Sequence, residues 1–167
     1  VKKSISKRRI NNPYTSIDGY NCFGCSPSNP CGLKLEFYEE GDEVVCDWQP
    51  KEHFQGYGNI LHGGVIATAM DEIASWYIFT QLKTAGVTYQ MNTRYLSPVY
   101  TDKGPIQLRA SLKEQSKRLT DINVKLYDSE GNLCSEGVVG YFIFPEKWAK
   151  EKLYYPDFDS FFDQEKV

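Results

Sequence analysis

His62-Gly63-Gly64 and the acidic pair Asp71-Glu72 are the residues of this chain best suited to chemistry. A glycine-rich helix start leaves backbone N–H groups free to face an anion or a developing oxyanion. A carboxylate inside an otherwise apolar helix loses solvation, so it needs a partner or a task. Donors and an acid on one element point to acyl transfer, in which a carboxylate activates water or attacks a carbonyl.

The elements that must position these residues follow from patterning. Val65, Ile66, Ala67, Ala69, Met70, Ile73, Ala74, Trp76, Tyr77, Ile78 and Phe79 cover most of a helical circumference, which predicts one buried helix over 63–82. Alternation predicts strands over 32–38 and 43–48, joined at Glu39-Glu40-Gly41-Asp42. Residues 49–61, with Pro50, Gly56 and Gly58, read as a loop. Strand patterns over 87–96, 105–116, 120–127 and 133–144 complete the order β-β-α-β-β-β-β. The fold class is therefore α+β, an antiparallel sheet wrapped around one central helix. Residues 1–31 read as an irregular lead-in, 32–144 as the domain proper, and 145–167 as an aromatic and acidic tail that packs on the domain or a partner.

Composition narrows the function. A chain of 167 residues with net charge −3 has no general attraction for nucleic acid or anionic membrane. No run approaches the roughly 20 apolar residues of a membrane span. The basic start (Val1, Lys2, Lys3, Lys7, Arg8, Arg9) lacks the apolar core of a signal peptide, which predicts a cytoplasmic protein. The 12 Tyr, 9 Phe and 3 Trp predict broad aromatic surfaces. Trp76 and its aromatic neighbours read as core or dimer interface, with Trp76 also a candidate for an acyl tunnel wall.

The pattern as a whole resembles the hotdog-fold acyl-CoA thioesterases, most closely those of the phenylacetate-pathway type. His62-Gly63-Gly64, six residues and then Asp71 follow the family spacing. Gly86-Val87-Thr88-Tyr89-Gln90-Met91-Asn92-Thr93-Arg94-Tyr95-Leu96-Ser97-Pro98 is similar to the family's strand after the helix. Cys22-Phe23-Gly24-Cys25, continuing to Asn29-Pro30-Cys31-Gly32-Leu33, is similar to a lead-in found in one branch. The resemblance implies that Asp71 is the base or nucleophile and that the Gly64 N–H is the oxyanion donor. It implies supporting roles for His62 and Thr88. It places coenzyme A against Gly63, Gln90, Tyr95 and the turn Ser116-Lys117-Arg118, with Arg94 a weaker phosphate contact. Some relatives carry an Asn six residues before the His to position water. Gly56 stands there in this chain, with Asn59 nearer the His.

Helix geometry adds a constraint. Gly64 and Asp71 are seven residues apart, a rise of roughly 10 Å, whereas catalytic reach is about 3 Å. One chain cannot bring both to one carbonyl, so each site must pair Gly64 of one copy with Asp71 of another. A homodimer is expected, with a dimer of dimers left open. Glu72 lies about 100° further round the helix and reads as a structural acid.

Cys22, Cys25 and Cys31 fall within ten residues, and Cys46 and Cys134 stand apart. They read as reduced thiols packing the lead-in, in preference to zinc or a disulfide. His53 reads as a surface loop residue. No metal or other cofactor is expected. The expected activity is hydrolysis of a thioester of coenzyme A or of an acyl carrier protein. A hotdog hydratase or dehydratase is disfavoured by the Gly-Gly-to-Asp spacing. An acyl-thioester sensor is disfavoured because the lead-in is too short and too rich in Pro and Gly for a helix-turn-helix.

Overall fold

Apolar side chains on every side of residues 63–81 force that segment into the interior. The computed structural model describes residues 6–163 and places helix α1 at Gly63–Gln81, with Ile66, Ala69, Met70, Ile73, Ala74, Trp76, Tyr77 and Ile78 buried. An antiparallel seven-stranded sheet curves around it. The strands are β1 (Lys7–Ile10), β2 (Phe37–Glu40), β3 (Glu43–Trp48), β4 (Gly86–Tyr95), β5 (Ile106–Gln115), β6 (Leu119–Tyr127) and β7 (Leu133–Ile143). Their spatial order is β1-β2-β3-β5-β6-β7-β4, which leaves β1 and β4 at the two edges. No helix of the described residues is long and apolar enough to cross a membrane.

Two expectations need correction. Lys7–Ile10 pairs with β2 and is a strand, although the lead-in reads as irregular. Its charged side chains hide it from an apolar count, as suits a sheet edge. Residues 32–36 are not a ladder strand. Leu33 and Leu35 are buried as the alternation predicts, but their N–H groups bond Phe23 O (2.8 Å) and Gly24 O (3.0 Å) of the cysteine loop. Lys34 between them is left-handed (φ 57°), which breaks the strand, and the segment instead fastens the lead-in to the domain. Val1, Lys2 and Lys3 of the basic start lie outside the described residues.

The tail forms a second helix, α2 (Glu146–Leu153), followed by a short 3-10 turn at Phe158–Phe161. Tyr155 Oη donates to Phe79 O at 2.8 Å, and the Asn11 N–H bonds Phe161 O at 2.7 Å. Phe161 stands edge-on to Trp76 at 5.9 Å. Tail and lead-in thus meet against the C-terminal half of α1. Trp76 stacks on Phe37 at 4.8 Å and is almost wholly buried, a core position.

Candidate active site

The glycine end of α1 is shaped by His62. This residue is the N-cap, and its Nδ1 accepts the Gly64 N–H at 2.9 Å. A neutral imidazole whose Nδ1 accepts carries its proton on Nε2. His62 is exposed, so that Nε2–H is a second outward donor. Gly56 lies beneath the ring, and a Cβ there would meet His62 Cδ2 at 3.3 Å. The Val65 and Ile66 N–H groups both return to His62 O. Among the described residues, the Gly63 N–H has no partner. Tyr95 Oη donates to Gly63 O at 2.9 Å, tying this helix start to the far end of β4.

The acid end meets the other end of the same strand. Thr88 Oγ1 donates to Asp71 Oδ1 at 2.8 Å, and Tyr141 Oη donates to the same oxygen at 2.7 Å. Among the described residues, Oδ2 receives no hydrogen bond. Ser75 Oγ lies 2.8 Å from Tyr141 Oη. Burial, and then the adjacent Asp71 carboxylate, hold the Tyr141 phenol well above its ordinary pKa. It stays a donor, fixing the carboxylate's orientation while leaving one oxygen for a reactant. Tyr141 and Ser75 escape sequence reading because only tertiary packing brings Tyr141 against Asp71, 70 residues away. The available signal is a Tyr on the inward register of β7.

Glu72 faces elsewhere. Its Oε1 accepts Trp76 Nε1–H at 3.2 Å and lies 3.5 Å from Cys22 Sγ. Burial, and then the facing Cys22 sulfur, push its carboxyl up to about 7. A hydrogen bond from Cys25, together with backbone N–H groups of the loop, draws the Cys22 thiol down to about 5 against its own burial. Cys31 is exposed and apart from this group, and all five cysteines are free thiols.

The remaining predicted residues divide by place. Gln90 and Arg94 line an outer groove of the sheet, about 340 Å³, with Tyr89, Asn92, Lys113 and Glu136. Arg94 pairs there with Glu136 at 3.2 Å. Gln90 and Tyr95 therefore do not share a face. Ser116-Lys117-Arg118 form the exposed β5–β6 turn, where the Ser116 N–H bonds Leu119 O. Register runs from Leu119 to Phe142 and on to Val87, so this turn sits at the Thr88 end of the sheet. Asn59 Nδ2 donates to Asp102 at 2.9 Å, and its side chain is thus committed outside the site. His53 is exposed beside Phe54.

A family model described as the thioesterase superfamily matches residues 58–135, a span that includes His62, Gly63, Gly64, Asp71 and Thr88. Human acyl-coenzyme A thioesterase 13 is 30% identical over 97 residues, covering 57% of this chain and 69% of that protein. The chain belongs to the thioesterase superfamily. The zebra fish thioesterase superfamily member 2 superposes with a TM-score of 0.62 at 26% identity, over 71% of this chain and 88% of that one. A Streptococcus pneumoniae thioesterase protein, solved with coenzyme A, shares the fold with a TM-score of 0.62 at 21% identity, over 67% of this chain and 87% of that one. The sheet wrapped round α1 is the hotdog fold of this superfamily.

Proposed function

We propose that this protein hydrolyses acyl-CoA thioesters at two sites shared across a homodimer formed by its β4 edges. The supporting observation is that one strand carries both half-sites. Thr88 holds Asp71 at one end of β4 and Tyr95 holds Gly63 at the other. The seven residue steps from one to the other span roughly 23 Å at strand rise, too far for one reaction centre. β4 is a ten-residue edge with Val87, Tyr89 and Tyr95 about half exposed, a surface suited to pairing. An antiparallel β4–β4 pairing centred on Asn92, with Tyr89 the extra residue of a bulge in each strand, sets Thr88 of one copy opposite Tyr95 of the other. A two-fold axis there repeats the arrangement, giving two equal sites.

In such a site Asp71 Oδ2 takes a proton from water as the water oxygen attacks the thioester carbonyl. The negative charge moves to the carbonyl oxygen, which the partner subunit's helix start receives. The Gly63 N–H and His62 Nε2–H are available at once. The Gly64 N–H joins only if the His62 ring turns aside, because it is bonded to Nδ1 here. Collapse breaks the C–S bond, and the leaving thiolate takes the proton held by Asp71. Direct attack by Asp71 uses the same placement. Single-turnover hydrolysis in oxygen-18 water separates the routes, because only direct attack leaves label in Asp71.

Lys117, Arg118 and the Ser116 hydroxyl lie exposed at the Thr88 end, where they meet the phosphates of coenzyme A or of a carrier-protein arm. Five free thiols fit a cytoplasmic location. A panel of acyl-CoAs with free-thiol detection tests the reading. Hydrolysis that disappears in Asp71→Asn supports it. Tight acyl-CoA binding with no turnover by the wild type contradicts it.

A further inference from the structure

Cys22 Sγ, Cys25 Sγ and the Glu72 carboxylate form a cluster that the thioesterase chemistry does not use. Their ligand atoms all lie within 4.8 Å of one another. Tetrahedral ions with Zn–S distances of about 2.3 Å and Zn–O distances of about 2.1 Å need ligand separations of a similar order, so closure requires only small movements. Cys-x-x-Cys alone supplies two ligands and leaves the third open. The fold supplies it from the centre of α1, 50 residues away in sequence.

The surroundings are built for that third ligand. A Cβ at Gly24 would collide with the Glu72 carboxyl group, so the residue just before Cys25 must be small for Glu72 to reach the two sulfurs. The loop is held from several sides. The Ser26 N–H bonds Cys22 O at 3.2 Å, Asn12 Nδ2 donates to Cys25 O at 3.1 Å, and Asn29 Nδ2 donates to Asn21 O at 3.1 Å. Tyr20 Oη lies 2.9 Å from Cys25 Sγ, and Trp76 Nε1–H donates to Glu72. Such outer hydrogen bonds orient ligands and tune a metal centre. The cluster borders a cavity of about 270 Å³ that Tyr14, Tyr20, Ser75 and Phe79 also line, which leaves a fourth position for water.

We infer that Cys22, Cys25 and Glu72 bind a zinc-class divalent ion, with water from this cavity as fourth ligand. Two thiolates and one carboxylate select a borderline-soft cation over calcium or magnesium. Binding takes both sulfurs as thiolates and releases to solvent whatever protons they and Glu72 still hold. The ion would clamp the lead-in to α1, about 100° round the helix from Asp71. The site does not depend on the thioesterase reading, since it uses none of the same side chains.

The test is cobalt substitution of the full chain, stripped of metal under reducing conditions. The expected result is one cobalt ion per chain, with a thiolate-to-cobalt charge-transfer band and the visible bands of a tetrahedral ion, all displaced by zinc. Cys22→Ser and Cys25→Ser should weaken binding by more than about 100-fold, and Trp76→Phe by roughly 10–100-fold, as for an outer partner. Glu72→Gln should weaken binding and change the visible bands, while Cys31→Ser leaves both unaltered. Absence of the charge-transfer band in the wild type overturns the inference, and that measurement needs no variant to fold. A Glu72→Gln protein that binds cobalt as the wild type does overturns the assignment of the third ligand.

Discussion

Asp71 and Glu72 are neighbours in sequence and have the same chemistry, yet the two faces of α1 give them opposite surroundings. Asp71 meets the edge strand β4 and has one oxygen fixed by two hydroxyl donors. Glu72 points into the lead-in, against two thiols and an indole N–H. Its carboxyl is pushed upward by burial. A step of about 100° round one helix therefore separates an acid poised beside an edge from an acid enclosed by protein. Residue type alone did not decide the roles, because the elements packed on each face did.

The comparison can be broken most forcefully at Asp71. Asp71→Asn keeps the shape and removes the base, and should lower kcat by roughly 10²–10⁴-fold in steady-state thiol release. The same variant should keep the cobalt charge-transfer band. Loss of both signals together would mean that the two faces are not independent.

The next effect concerns the helix start. Proline suits the first helical position and lacks only the N–H, and His62 already has the extended backbone that a following proline needs. Gly63→Pro should therefore fold and lower kcat by roughly 10²–10³-fold, as expected for loss of one oxyanion donor. Normal turnover in this variant would move the oxyanion role to His62 and Gly64.

Smaller effects should come from the hydroxyls that orient Asp71. Tyr141→Phe and Thr88→Val each remove one donor to Oδ1 and should cost about 1 kcal/mol of stability, read by urea denaturation. Turnover should fall more than KM changes in both. On the other face, Gly24→Ala pushes against the Glu72 carboxyl and should weaken cobalt binding while Asp71-dependent turnover persists.

Much of this arrangement is legible in the sequence. The apolar wrap of residues 63–81 signals a buried helix, and alternation marks the strands around it. The spacing from Gly64 to Asp71, too long for one reaction centre, is what motivates the proposed shared site. Other features are set by contacts distant in sequence. Tyr141 reaches Asp71 across 70 residues, and Cys22 meets Glu72 across 50. Lys7–Ile10 is a strand because β2 offers it an edge, and its own charged residues give no apolar signal. The Gly64 N–H reads as a free donor until the cap geometry shows His62 accepting it. Cap partners of this kind depend on one side-chain rotamer, which residue spacing does not determine.

The central claim is that each site takes its acid from one subunit and its helix-start donors from the other. Co-expression of Asp71→Asn with Gly63→Pro under two different tags yields a mixed dimer purified through both. One of its sites carries both defects and the other carries none, so it should recover roughly half of wild-type activity although each parent is nearly inactive. A mixed dimer as inactive as its parents, or a fully active monomer of the wild type, would contradict the claim.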